Sequence, residues 1–310
     1  MKADVDAVVG ALNGLVGDYL QRTSNGLAID LTFIVDGAPV PPERIVPAKR
    51  MVLFVHGLMA TEGCWSMFGE SYAKRLEEEL GLKPLYVRYN SGRHISENGF
   101  QLDHLLEALV ARVGDALEEL ILIGHSMGGL VIRSATHTAA ERSAAWLTKV
   151  KSAVYIGSPH LGAPLERAGN VLTWFLRKTG TVLADPVTEL LGDIIALRSE
   201  GIQDLRYGSL HEQDWRDGDA NELLQNRRHP VPLLTSIRHH LIAGVLPKDP
   251  RLAALFGDAL VQPRSALGHA TARDRSPTFP QEYVQVFEGL SHTALLADDG
   301  VYQRLREWLS

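Results

Sequence analysis

The stretch LILIGHSMGGLVIR, residues 120–133, decides the fold of this chain. Its apolar start is typical of a strand that is buried on both faces of a parallel sheet, and a helical pattern follows the glycines at once. Between them lies the pattern G-x-S-x-G, in which a sharp strand-to-helix turn exposes a serine at the end of a sheet. Side chains at Gly124 and Gly128 would collide with neighbouring chain in such a turn. We therefore predict that Ser126 is a nucleophile.

Buried strands and amphipathic helices alternate on both sides of this turn. Such alternation predicts right-handed strand–helix–strand units, and so an α/β protein with a mostly parallel central sheet and helices on both faces. The pattern predicts strands at 27–35, 51–55, 84–89, 120–124, 152–157, 233–244 and 283–287. It predicts helices at 5–20, 65–80, around 102–113, after Ser126 and at 293–309, with a proline-rich loop containing Pro39, Pro41, Pro42 and Pro47.

The alternation of strands and helices stops between residues 161 and 230, where apolar helical segments occur without a clear strand. We interpret this stretch as a mainly helical cap or lid inserted into one catalytic core, which comprises residues 1–160 and 231–310. Apolar side chains at helical spacing in its first half, with Trp174 and Phe175 among them, predict contacts with substrate. The alternative is that these helices simply bury their apolar faces on the core.

A serine hydroxyl is a weak nucleophile that needs a general base, itself oriented by an acid. In strand–serine–helix folds of this kind the chain order is serine, then acid, then histidine. Asp258 lies in a loop after the strand that ends at Gly244, and His292 lies in a loop after the last strand. We predict these two as acid and base, with Asp249 in a proline-flanked turn as the rival acid.

Acyl transfer also needs hydrogen-bond donors for the oxyanion that develops on the substrate. The backbone N–H of Met127 follows the nucleophile, and that of Leu58 lies in the tight turn after the strand at 51–55. We predict these two groups as the oxyanion hole. His56 is expected to support this turn by hydrogen bonding rather than to take part in the reaction.

Composition narrows the classes of function. The formal net charge is −6, and no block of Lys and Arg indicates nucleic-acid binding. No Cys or His spacing predicts zinc and no glycine-rich loop predicts a nucleotide, so we expect neither a metal nor a cofactor. The single cysteine, Cys64, excludes an intramolecular disulfide. With no signal-peptide pattern and no apolar run of spanning length, we expect a cytoplasmic protein.

Five motifs together resemble lipase- and esterase-type α/β-hydrolases: FVHGLMATEGCW, IGHSMGGLVIRSA, GSPHLGAPLERAG, GDALV and LSHTALL. The likeness is to the branch related to bacterial triacylglycerol lipases and GPI inositol deacylases, which RYNSGRHISENG at 88–99 also resembles. It implies an α/β-hydrolase fold with the roles given above for Ser126, Asp258, His292, Leu58 and Met127. Ala259 departs from the glycine that often follows the acid in this family.

We therefore predict a serine hydrolase that cleaves carboxylic esters or lipids through an acyl-enzyme on Ser126. Two alternatives stay open: an acyltransferase that uses the same triad, and a non-catalytic scaffold that has kept the fold. The expected partner is a small ester or lipid, with no nucleic acid and with room for transient contact with a membrane surface. Neither the acyl chain length nor the oligomeric state follows from the sequence.

Overall fold

A computed structural model describes residues 2–67, 69–162, 199–216, 229–245, 277 and 279–310. Eight strands form one sheet in the order β2-β1-β4-β3-β5-β6-β7-β8. The strand bounds are β1 Thr32–Val35, β2 Ala38–Val40, β3 Arg50–Val55, β4 Lys83–Arg88, β5 Glu119–His125, β6 Val150–Ile156, β7 Arg238–Val245 and β8 Val284–Glu288. Strand β1 runs antiparallel to β2 and β4, and the six strands from β4 to β8 are mutually parallel.

Helices cover both faces of this sheet because successive strand residues point to opposite sides. Leu53 of β3 packs into one core cluster with side chains of the helices that follow β4 and β5. Its neighbour Phe54 packs into a second cluster with side chains of the helix before β4 and the C-terminal helix. The helix bounds are α1 Lys2–Arg22, α2 Tyr72–Leu80, α3 Ile95–Val113, α4 Met127–Glu141, α5 Glu200–Tyr207, α6 Gln213–Arg216 and α7 Asp299–Leu309. The predicted α/β architecture, a mostly parallel central sheet with helices on both faces, is confirmed.

The sequence analysis expected a loop in the proline-rich segment after β1, but part of this segment is a strand. Residues 38–40 form the edge strand β2, in which Pro39 stands opposite Ile34 of β1. An edge position tolerates proline because an edge strand leaves part of its hydrogen-bonding capacity facing solvent. The prolines at 41 and 42 then lead into a short 3-10 turn, Pro42–Arg44.

Several predicted elements begin later than the hydrophobic pattern indicated. Helix α2 begins at Tyr72 rather than near residue 65, because the Ser71 side chain accepts a hydrogen bond from the N–H of Ala73 and caps it. The C-terminal helix begins at residue 299, where the Asp298 carboxylate accepts from the N–H of Val301. Strands β1 and β7 likewise begin at residues 32 and 238, so the apolar residues before them belong to connections.

The glycines of α1 allow this helix to lie directly on the carboxyl ends of the strands. A Cβ on Gly14 would lie 2.8 Å from the backbone N of Met59, and one on Gly17 would overlap the Asn90 side chain. Gly10 approaches Thr61 in the same way. The leading helix therefore packs on the loops that follow β3 and β4. Among the described helices, none is both long and apolar enough to cross a membrane.

Candidate active site

Ser126 lies at the turn between β5 and α4 with a backbone that only a few non-glycine residues adopt. Its φ and ψ are 55° and −123°, and the residue is 9% exposed. Its N–H donates to the carbonyl of Ile156 at 2.9 Å, and its own carbonyl accepts from the N–H of Gly129 at 3.2 Å. Such strain costs about 1–3 kcal/mol and persists only where the surrounding structure enforces it.

The glycines around Ser126 allow the close packing that enforces this turn. A Cβ on Gly124 would lie 2.5 Å from the N of Gly129, and one on Gly128 would lie 2.2 Å from the carbonyl oxygen of Val55. The predicted crowding at both glycines is therefore confirmed. Gly57 adds a third contact, since a Cβ there would lie 3.0 Å from the Cβ of Ser126. The turn after β3 thus lies directly beside the serine.

The two backbone groups predicted as an oxyanion hole both lie near Ser126. Met127 is the first residue of α4, and Leu58 follows Gly57 in the turn after β3. Within the described part of the chain, neither the N–H of Leu58 nor that of Met127 donates a hydrogen bond. Unpaired N–H groups beside a helix N-terminus favour an anion.

The turn that carries Leu58 is supported by the buried His56. Its Nδ1 lies 2.8 Å from the carbonyl oxygen of Gly57, and its Nε2 accepts from the N–H of Tyr89 at 3.3 Å. The two rings also stack, with centroids 4.2 Å apart. Burial lowers the pKa of His56 to about 4, which keeps the ring neutral. These contacts agree with the supporting position that the sequence analysis expected of His56.

His292 lies in the connection between β8 and α7 and is 8% exposed. Its Nδ1 and Cε1 lie 3.0 and 3.1 Å from the position that a Cβ on Gly157 would occupy. Gly157 follows Ile156, whose carbonyl accepts the N–H of Ser126. Ser126 and His292 therefore both lie against the short segment Ile156-Gly157, although 165 residues lie between them in the sequence.

A residue that the sequence analysis did not single out connects the two. His125 precedes the serine, and its Nε2 lies 3.2 Å from the carbonyl oxygen of His292, with the two rings 4.5 Å apart. Burial lowers the pKa of His125 to about 4, so its neutral ring can donate this hydrogen bond. The motif shows that a histidine is present at this position but not that it reaches the connection after β8, 167 residues away.

The His292 ring is suited to accept a proton rather than to carry one at rest. Burial, with a smaller contribution from His125, holds its pKa well below the ordinary histidine value of 6.5. A carboxylate hydrogen-bonded to the same ring would raise that pKa, because it favours the charged form. The predicted acid Asp258 and its rival Asp249 both lie outside the described residues. So do the predicted substrate-binding residues Trp174 and Phe175.

Polar residues of the motifs GSPHLGAPLERAG and RYNSGRHISENG make structural contacts. His160 is buried, with its Nδ1 3.3 Å from the guanidinium of Arg133. Arg93, in the loop before α3, forms an ion pair with Glu97 in the first turn of that helix, at 3.0 Å. His94 lies 3.1 Å from the Asp204 carboxylate. The Asp204 carboxylate also accepts a hydrogen bond from the N–H of Ile95, at 2.8 Å.

The contact between Gly157 and His292 can be tested with a pair of glycine variants. Gly157 and Gly289 have φ values of +61° and +79°, so alanine introduces similar backbone strain, about 1–2 kcal/mol, at either position. Only at Gly157 would the new methyl group meet the His292 imidazole, because nothing lies within 4 Å of Gly289. We expect Gly157→Ala to lower kcat for ester hydrolysis at least about 10-fold more than Gly289→Ala, since displacing a catalytic group by 1 Å can cost about 100-fold.

The readouts are ester turnover and thermal unfolding of both variants. Equal turnover of the two variants at matched stability would show that His292 does not act through this contact.

The comparisons with known proteins agree with the fold. A family model described as "Alpha/beta hydrolase family" matches residues 52–304. The mature form of the lipase BlEst2 from Bacillus licheniformis superimposes with a TM-score of 0.51 and 20% identity, over 91% of this chain and 98% of that one. The type II thioesterase YbtT of the yersiniabactin pathway superimposes with a TM-score of 0.50 and 15% identity, over 87% and 96% of the two chains. No curated protein sequence matches significantly.

Proposed function

Because the chain belongs to the alpha/beta hydrolase family, we propose that it is a serine hydrolase that cleaves carboxylic esters, with lipids among its substrates. One observation carries the proposal. The strained Ser126 stands at the helix N-terminus, and the neutral, buried His292 lies against the same segment, Ile156-Gly157. Strained backbone at a non-glycine residue clusters at functional sites.

The proposed reaction proceeds in two steps. The hydroxyl of Ser126 attacks the carbonyl carbon of the ester while the His292 imidazole takes its proton, and that proton then passes to the departing alcohol. In the second step water attacks the acyl-enzyme while His292 takes its proton; the bond between the acyl carbon and Oγ of Ser126 breaks, the carboxylic acid leaves, and the proton returns to the serine. Asp258 is the proposed acid that fixes the tautomer of His292 and stabilises the imidazolium.

The charge that develops on the substrate oxygen is the other requirement. We propose that the N–H groups of Leu58 and Met127 bind this oxyanion, which is supported by their position beside Ser126 and by their lack of another acceptor among the described residues. Removing one such donor typically costs about 100- to 1,000-fold in kcat. His125 is proposed as a positioning residue, since it holds the carbonyl of His292.

The substrate class is proposed from the sequence motifs. The resemblance of the motifs to lipases and esterases favours carboxylic esters, whereas transfer to an alcohol would use the same residues and differ only in the second step. We propose residues 161–230 as a lid over residues 1–160 and 231–310. The cytoplasm is the proposed location, in keeping with a single, buried cysteine.

The nucleophile is tested by Ser126→Ala, with Ser152→Ala as the control. Ser152 is fully buried on β6, and its hydroxyl makes no hydrogen bond among the described residues, so its removal should be nearly neutral. We expect Ser126→Ala to abolish p-nitrophenyl ester hydrolysis and labelling by a fluorophosphonate, and Ser152→Ala to keep both. Turnover near the wild-type rate in a folded Ser126→Ala variant would contradict the proposal and favour the scaffold.

The acid is tested by Asp258→Asn against Asp249→Asn, read out as pH profiles of kcat/KM. Activity requires the neutral form of His292, so kcat/KM should fall as the pH drops through the pKa of this ring, which burial lowers and the Asp258 carboxylate would raise. Loss of the Asp258 carboxylate removes the interaction that favours the charged form of the His292 ring. Asp258→Asn should therefore lower kcat by about 10⁴-fold and move any residual profile to lower pH. If Asp249→Asn is impaired instead, Asp249 is the acid.

The proposed lid is tested by Trp174→Ala and Phe175→Ala on a series of esters of increasing acyl length. Each CH₂ that the lid buries contributes about 0.8 kcal/mol, so the variants should lose kcat/KM progressively more as the chain lengthens. Short acetate esters are the internal control. Equal losses along the series, or a loss of thermal stability alone, would mean that these side chains only pack on the core.

A further inference from the structure

Three histidines that are far apart in the sequence meet outside the candidate active site. His137 lies on α4, His211 lies two residues before α6, and His229 lies in the segment that leads to β7. One ring nitrogen of each lies within 4.8 Å of the corresponding nitrogens of the other two. The distances between ring centroids are 4.3, 5.6 and 6.0 Å. All three side chains are partly exposed, so an ion from solution could reach them.

A single carboxylate holds two of these histidines side by side. Asp214 accepts hydrogen bonds from the N–H groups of Leu210 and His211, at 2.8 and 3.0 Å, through one oxygen. Its other oxygen accepts from the N–H of His229. The backbone at 211 and at 229 is thus joined through one side chain, although 17 residues lie between them. The third histidine is fixed by its place on a helix of 15 residues.

The third histidine also has an unused ligand atom. The Nε2 of His137 is buried and makes no hydrogen bond among the described residues. The carboxylate of Glu141, one helical turn further on, lies 3.5 Å from this nitrogen. A buried polar atom without a partner is destabilising unless something else satisfies it.

We propose that His137, His211 and His229 form a binding site for a divalent transition metal, with zinc as the expected ion. Three neutral imidazoles are a donor set that suits zinc, nickel or copper and not magnesium or calcium. In a tetrahedral zinc site the ligand nitrogens are about 3.4 Å apart and the ring centroids about 5 Å apart. The observed centroid distances bracket that value, so small side-chain rotations complete the site. Water or the Glu141 carboxylate takes the fourth position.

One contact has to give way when the metal binds. The N–H of Gln213 donates to Nδ1 of His211 at 3.2 Å. Nδ1 can no longer accept this bond once the metal binds, because it then either binds the metal itself or, if Nε2 binds the metal, carries the proton of the ring. The contact is solvent-exposed, so water can replace it. The hydrogen bonds that the Asp214 carboxylate accepts come from backbone N–H groups, so they stay in place.

The position of the site indicates a structural role. His137 is ten residues beyond Met127 on α4, which is about 15 Å along the helix, so the metal lies away from Ser126. It would connect this core helix to two points, 211 and 229, within the proposed lid segment 161–230. The metal therefore fastens the C-terminal part of that segment to the helix that begins at the proposed nucleophile.

The experiment uses the full chain with no histidine tag, stripped of metal by a chelator that is then removed. Zinc is titrated by calorimetry, and thermal unfolding is followed with and without zinc. Cobalt replaces zinc in a second titration, because its visible spectrum distinguishes tetrahedral from octahedral sites. The variants are His137→Gln, His211→Gln and His229→Gln, and the control is His104→Gln, an exposed histidine on α3 outside the cluster.

We expect about one zinc ion per chain, a tetrahedral cobalt spectrum and a rise in Tm of at least about 3 °C with zinc. Each variant should lose at least about 100-fold in zinc affinity, since even partners behind the ligands contribute about 10- to 100-fold. The His104 control should bind as the wild type does. Binding that is equal in the control and the three variants, or an absence of stoichiometric binding to the folded wild type, overturns the proposal. These readouts do not depend on esterase activity.

Discussion

The strained turn at Ser126 depends on close approaches that only glycine allows. Gly124 and Gly128 bring β5 and α4 against each other and against the end of β3, and Gly57 brings the following turn to the serine side chain. A strain of about 1–3 kcal/mol is small beside the burial of the three central strands, whose core side chains are almost fully inaccessible. The central sheet can therefore hold one residue in an unfavourable conformation without losing its own order.

His292, the proposed base, is also held by contacts with residues from other parts of the chain. Gly157 borders the His292 ring, His125 holds its carbonyl, and the 3-10 turn at Ala294–Leu296 begins just after it. Because the ring is buried, its neutral form is favoured, which suits a base at rest. A carboxylate that approaches the ring would raise the pKa of His292, and Asp258 is the proposed carboxylate.

Local signals could be predicted from the sequence, whereas long-range contacts could not. The turn at Ser126 was identifiable because strand, glycines and helix are adjacent, and the central strands because they are continuous apolar runs. The edge strand β2 was missed because Pro39 argues against a strand, and it forms only by pairing with Ile34. The His125–His292 contact and the cluster of His137, His211 and His229 are created by the fold, so no spacing along the chain reveals them.

The described part of the proposed lid segment is anchored to the core by buried polar contacts as well as by apolar ones. Asp204 of α5 accepts the N–H of Ile95 at the start of α3, at 2.8 Å, and faces His94. Ile202 and Leu205 join the same core cluster as α3 and α4. Residues 199–216, which lie within the proposed lid segment, are therefore packed against the core helices.

The N-terminal helix α1 helps to fix the turn that carries Leu58. Gly14 packs against the backbone of Met59, whose N–H donates to the Ser91 hydroxyl at 3.0 Å, and the hydroxyl of Ser199 donates to the carbonyl of Gly14 at 2.8 Å. The turn that carries Leu58 is thus fixed by α1, by the loop after β4 and by the start of the α5 segment together. A donor that must meet a developing charge contributes most when it cannot reorient. This packing keeps the backbone of the turn in place while leaving the N–H of Leu58 without a competing acceptor among the described residues.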